Sequence, residues 1–87
     1  MHAVVVRVKI GDYDAGLSEL RERVVPQVSQ APGFVAGYWT RKGDSGLSMI
    51  MFESEDAANT ATERIRSAAP EQVTVEDIEV REVVAQA

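Results

Sequence analysis

The hydropathy of this chain switches repeatedly between period two and a helical period, and the order of the switches limits the folds open to it. Ala3–Ile10 (AVVVRVKI) alternates, with Val4, Val6, Val8 and Ile10 on one wholly apolar side and Val5, Arg7 and Lys9 on the other. Alternation with a single aliphatic face marks a strand. Gly11-Asp12 breaks it, and Asp12 or Asp14 is placed to cap a helix. Leu17, Leu20, Val24 and Val28 then recur at helical spacing. Pro26 falls inside that stripe, where its missing N–H predicts a kink or a second short helix. Ala31-Pro32-Gly33 ends the segment.

Phe34–Lys42 and Leu47–Glu53 are strand-like runs around Gly43-Asp44-Ser45-Gly46, which predicts a hairpin. Ser54 is placed as an N-cap, with Glu55 and Asp56 in a first turn that favours anions. Ala58, Ala61, Ile65 and Ala68 form the buried stripe of a second helix, and so much alanine requires a close approach to whatever it covers. Pro70 stops that helix, and Val73–Val84 supplies a last, more polar strand. The order β-α-β-β-α-β predicts an α+β, ferredoxin-like protomer: a four-stranded antiparallel sheet with two helices on one face. Residues 1–87 read as one domain.

With helices on one face only, the other should be polar if it meets water. Instead, both faces of three strands carry apolar groups. Ala3 and Val5 lie opposite the aliphatic even set of the first strand, Val35 and Trp39 oppose Phe34, Ala36 and Tyr38, and Leu47, Met49 and Met51 oppose Ile50 and Phe52. The simplest cover is a second copy docked sheet to sheet as a two-fold homodimer; a monomer with scattered exposed side chains is the alternative. The side on which Trp39 falls depends on the hairpin loop. An odd number of loop residues puts it with Met49 and Met51, an even number with Ile50 and Phe52.

Composition narrows the chemistry. Nine basic against fourteen acidic residues give a net charge of −5, which argues against nucleic-acid and anionic-membrane partners. There is no cysteine, so disulfides, zinc–thiolate sites and thiol nucleophiles are excluded, and a reducing, cytoplasmic setting fits. No apolar run approaches the ~20 residues of a membrane helix, and Met1–Ile10 lacks the pattern of a signal peptide.

The valine-rich first strand, the Ala31-Pro32-Gly33-Phe34 turn, the hairpin, and Phe52-Glu53-Ser54-Glu55-Asp56-Ala57 entering a helix resemble the dimeric α+β barrel superfamily. More narrowly, they resemble the antibiotic-biosynthesis-monooxygenase-like (ABM-like) proteins. The resemblance spans essentially the whole chain and implies a homodimer whose sheets close into a barrel. Such proteins include cofactor-free oxygenases of polycyclic aromatic substrates, haem-degrading enzymes and members of no known activity. The positions that the resemblance assigns to an Asn, a Trp and a Tyr in the oxygenases hold Ser48, Phe52 and Ala58 here. The first-strand Asn and second-helix His of the haem degraders are absent.

Trp39, the only tryptophan, is the first candidate for ligand contact, as a flat wall for an aromatic or acyl guest, with Arg41 and Phe52 beside it. Its other reading is a core or interface aromatic. Arg7, Lys9 and Arg41 form a set of cations on an apolar face, either binding an anion or pairing with Glu53, Glu79 or Glu82. Met49 and Met51 read as core filler or as flanks of an adaptable pocket. His2, the only histidine, has no partner set for a metal, and neither a metal nor a cofactor is expected. No Ser-His-Asp set or phosphate-binding glycine pattern is present. Three functions remain: a dimeric binder of a small apolar or aromatic metabolite, a cofactor-independent monooxygenase-like enzyme, and a non-catalytic dimerisation module.

Overall fold

A computed structural model describes all of residues 1–87. Its elements are β1 (His2–Ile10), α1 (Tyr13–Glu19), a π-helical segment (Leu20–Val24), α2 (Val25–Ser29), β2 (Phe34–Lys42), β3 (Ser45–Phe52), α3 (Glu55–Ala68) and β4 (Val73–Glu82). The four antiparallel strands lie in the order β2-β3-β1-β4, the ferredoxin-like arrangement that the sequence order implies. Asp12 caps α1 through the Ala15 N–H and Ser54 caps α3 through the Ala57 N–H, each satisfying an amide that the first turn leaves free.

The consequence of Pro26 is spread over a turn. α1, the π-helical segment and α2 run on without a break as one helical arm. The Val25 N–H donates five residues back to the Leu20 carbonyl, and Pro26 follows directly, so the wider π-helical turn lies where the proline lacks an N–H to give.

The core lies between the sheet and the helices. Val4, Val6, Ile50 and Phe52 supply the sheet side, Val24, Val28 and Ala31 the arm, and Ala58, Ala61, Ile65 and Ala68 the predicted stripe of α3. Phe34 meets Phe52 edge-on, with ring centroids 6.1 Å apart. Gly33 turns the chain into β2 at φ +80, and a Cβ there would lie 2.8 Å from that of Ala57. Glycine is therefore required on both steric and backbone grounds.

The hairpin is tighter than the four-residue loop expected. Lys42 pairs with Ser45, leaving only Gly43-Asp44 to turn, with Gly43 at φ +63. An even loop puts Trp39 opposite Ser48, on the helix-facing side with Ile50 and Phe52. Two bulges adjust the faces further. In β2, the register shift at Val35 lets Phe34 share the helix-facing side with Gly37, Trp39 and Arg41. In β4, the shift beside Glu76 turns Val73 and Val75 to the same side as Ile78 and Val80.

On the open face, Ala3, Val5, Arg7 and Lys9 of β1 lie beside Met51, Met49, Leu47 and Ser45 of β3. Tyr38 is 64% exposed there, with Leu47 and Met49 also exposed. Arg7 pairs with Asp77 at 3.3 Å and Lys9 faces Asp44 at 3.9 Å, in place of the glutamate partners expected. Arg41 does not join them: the two-residue turn sends it to the opposite face.

Candidate functional site

The helical arm and α3 do not close completely over the sheet. Between them lies a half-open cavity of about 380 Å³. Its floor comes from β1 (Val6, Val8, Ile10) and β3 (Gly46, Ser48, Ile50), and Trp39 and Arg41 of β2 form one wall. The arm supplies Tyr13, Leu17, Leu20, Arg21 and Val24 above, and Ile65, Pro70, Val73 and Val75 close the far side.

Local sequence shapes each part. Gly46 leaves out a side chain where one would meet Val8: a Cβ there would lie 2.6 Å from Val8 Cγ2. Gly37 does the same for the indole of Trp39, whose six-membered ring lies 2.9 Å from where the Cβ would be. The indole thus lies back along β2, half-buried against the core. The π-helical segment contributes Leu20, Arg21 and Val24 to the roof, and its wider turn carries Arg21 to the cavity.

Polar groups are few. The buried Ser48 enters none of the side-chain hydrogen bonds within the chain, so its hydroxyl remains available to a guest. Arg41 stacks on Tyr13, its guanidinium carbon 3.9 Å from the ring centroid, and donates to the Gly43 carbonyl at 3.3 Å. These two contacts hold a cation at the rim. The charged residues lining the cavity are Arg21 and Arg41, and no carboxylate or imidazole lines it.

Of the residues singled out in the sequence, Trp39 and Arg41 come together at the cavity, and Phe52 does not. It is fully buried against Phe34, one step beyond Ile50 in the core. Of the three positions carried over from the oxygenases, Ser48 lines the cavity, while Phe52 and Ala58 are sealed inside the core. Met49 and Met51 face away from the cavity, on the open side. His2 lies at the other end of the sheet, with Nε2 3.7 Å from Glu55 and a buried, unpartnered Nδ1. No cluster of three or more His, Cys, Asp or Glu is placed to hold a metal. Sequence reading missed Tyr13 and Arg21; their signal lay in the helical spacing of Tyr13, Leu17, Leu20 and Val24, which puts them on the arm's inner side.

No family model matches the sequence, and no curated protein is significantly similar to it. Solved structures do match. SnoaB, a cofactor-independent oxygenase from Streptomyces nogalater, superposes with a TM-score of 0.69 at 14% identity, over 98% of this chain and 94% of that one. MupZ from Pseudomonas fluorescens gives 0.69 at 13% identity over 91% of this chain, which spans only 65% of MupZ. The heme-degrader MhuD from Mycobacterium tuberculosis, solved with two hemes in its active site, gives 0.57 at 21% identity over 97% and 98%. The chain shares the ferredoxin-like α+β fold of these structures. At these identities the likeness is one of architecture. The cavity lining holds no histidine, cysteine or methionine, and its one tyrosine is Tyr13.

Proposed function

We propose that this chain is a single-domain cytoplasmic protein, dimeric through its open sheet face, that binds a small apolar or aromatic metabolite in the cavity beneath the helical arm. The observation that carries the reading is the cavity itself: about 380 Å³, walled by aliphatic side chains and Trp39, with one free hydroxyl on its floor. Ligand sites have this character, largely apolar with a few placed polar groups, and the volume is at the small end of their range. The exposed Tyr38, Leu47 and Met49 support pairing of sheets, since water is a poor neighbour for that cluster. The absence of cysteine suits a reducing compartment, and no helix is long and apolar enough to cross a membrane.

The test is a thermal-shift screen of aromatic and acyl compounds, with Trp39 fluorescence as the second readout. A guest present at ~100 times its Kd should stabilise the protein by about 2.7 kcal/mol, and Trp39→Ala should abolish most of that gain. A flat response across the panel overturns the reading.

A second reading is a cofactor-independent monooxygenase-like enzyme. The likeness to SnoaB favours it, as does a cavity partly screened from water. It requires a proton acceptor near the substrate, and the lining offers only the Tyr13 phenol for that role. Oxygen uptake with quinol substrates, higher in the wild type than in Tyr13→Phe and Trp39→Ala, supports it; equal rates remove it. A purely structural dimerisation module has less support, because nothing in that role calls for a lined cavity.

A further inference from the structure

We infer that the guest is an anion: a small apolar body carrying one carboxylate or similarly acidic group, held at the rim by Arg41 and Arg21. This rests on the small-molecule reading above and names the chemistry that the site selects.

The argument begins with charge. The chain has fourteen acidic residues against nine basic ones, yet the charged residues around the cavity are both arginines. An acidic protein therefore surrounds its apolar cavity with positive charge alone. Neither arginine is neutralised. Five ion pairs form in the molecule, and Arg21 and Arg41 enter none of them. Neighbouring carboxylates are engaged elsewhere: Asp12 caps α1, Asp44 faces Lys9 at 3.9 Å, and Glu19 holds Arg23 at 2.8 Å.

Position matters as much as sign. Arg41 is held against the Tyr13 ring at 3.9 Å, so its guanidinium is partly ordered before a ligand arrives and less rotamer freedom is lost on binding. Arg21 comes from the π-helical segment of the arm and, like Arg41, is an exposed residue lining the cavity. Below them the lining is apolar down to Ser48, whose hydroxyl is free. A neutral apolar guest would use the walls and leave both guanidiniums idle. A monoanion with a flat or acyl body uses the walls, the cations and the hydroxyl together.

The experiment compares matched pairs, 2-naphthoate with 2-naphthamide and decanoate with decanamide, by isothermal titration calorimetry on the intact protein. The wild type should bind each carboxylate about tenfold more tightly than its amide, the size expected for charge-assisted contacts at a partly exposed rim. Arg41→Gln should remove most of that preference, and Arg21→Gln with Arg41→Gln all of it, while amide affinity stays constant. Arg66→Gln, which alters a cation that neither lines the cavity nor enters an ion pair, should change nothing. Raising the salt should weaken the carboxylates alone. Carboxylate and amide bound equally well, or a preference that survives the double substitution, overturns the inference and leaves the apolar binding site standing. Failure of all four compounds to bind overturns the binding-site reading and this inference with it. Unchanged melting of the variants confirms that exposed side chains, not the fold, were altered.

Discussion

Replacing Gly46 by alanine puts a methyl group where Val8 already stands. The new Cβ would lie 2.6 Å from Val8 Cγ2, and 3.5 Å from both Ile10 Cδ1 and the Thr40 carbonyl oxygen. Carbon atoms pack at roughly 3.5–4.0 Å, so Val8 must move, and a β-branched side chain has little freedom at χ1. Gly46 does not have a positive φ, so alanine suits the backbone and the penalty is steric. Overpacking costs about 1–3 kcal/mol, and removing glycine's freedom from the unfolded chain returns about 0.4–1. The net expectation is a loss of about 1–2 kcal/mol, or roughly 5–15 °C in Tm for a domain of this length. Val8→Ala alone should cost about 1 kcal/mol of lost burial. On that background Gly46→Ala meets only the two 3.5 Å contacts, and should be neutral or slightly stabilising. Urea unfolding of the four proteins, followed by Trp39 fluorescence at one fixed protomer concentration, gives the coupling energy. It should reach about 1 kcal/mol or more. Additivity within about 0.5 kcal/mol, or a Gly46→Ala protein as stable as the wild type, would refute the close approach of β1 and β3 on which the cavity floor depends.

Phe52→Ala should cost about 3–5 kcal/mol, enough to leave much of so small a domain unfolded by circular dichroism; a near-native melt would mean that Phe52 is not the packed centre described. Ser54→Ala removes the cap of α3 and should cost about 1 kcal/mol, read as a fall in Tm of roughly 4–8 °C. Leu47→Glu with Met49→Glu should give a folded particle of 9.5 kDa by light scattering, and a surviving dimer would put the interface elsewhere. Ser48→Val extends an apolar side chain into the cavity, and should raise stability by about 0.5–2 kcal/mol while weakening guests; a lower Tm would mean that the space is already filled.

How much was legible beforehand depended on which interactions set each feature. Element order, the N-cap at Ser54 and the alanine stripe of α3 follow from local backbone chemistry and appear as read, while of the two caps offered for α1 the structure uses Asp12. Face assignment does not follow so simply, because it is a matter of parity and one inserted residue reverses it. β4 reads as the most polar strand because of Asp77 and its glutamates, yet it still supplies an apolar side to the core. The shift at Glu76 lets Val73 and Val75 join Ile78 and Val80 on the buried side. Grouping Arg41 with Arg7 and Lys9 requires an odd loop; the loop has two residues, so Arg41 shares the helix-facing side with Trp39. The cavity was the least legible feature. It depends on how far the arm stands from the sheet, a long-range quantity that no local pattern encodes.

That stand-off has a cost that can be set against the size of the domain. Apolar walls without packing partners forgo the dispersion contacts of a filled interior, and here they line a cavity of about 380 Å³ open to solvent on one side. A domain of 87 residues has a total stability of only about 4–13 kcal/mol. The space is produced by small residues where larger ones would find room or be forced to make it. Ser48 lies on the floor, and at Gly16 on the arm a Cβ would meet only ordinary contacts at 3.8 Å. Glycine inside a helix costs about 0.5–1 kcal/mol relative to alanine, so the local choice at Gly16 adds to the loss instead of offsetting it. Meanwhile α3 descends on Val4 and Ile50 through Ala58, Ala61 and Ala68, showing that the same chain can close a helix tightly onto this sheet. On the reading proposed above, a molecule that fills the gap restores the missing contacts to Trp39, Leu20 and Ile65, so stabilisation on binding is the first signal that the reading predicts.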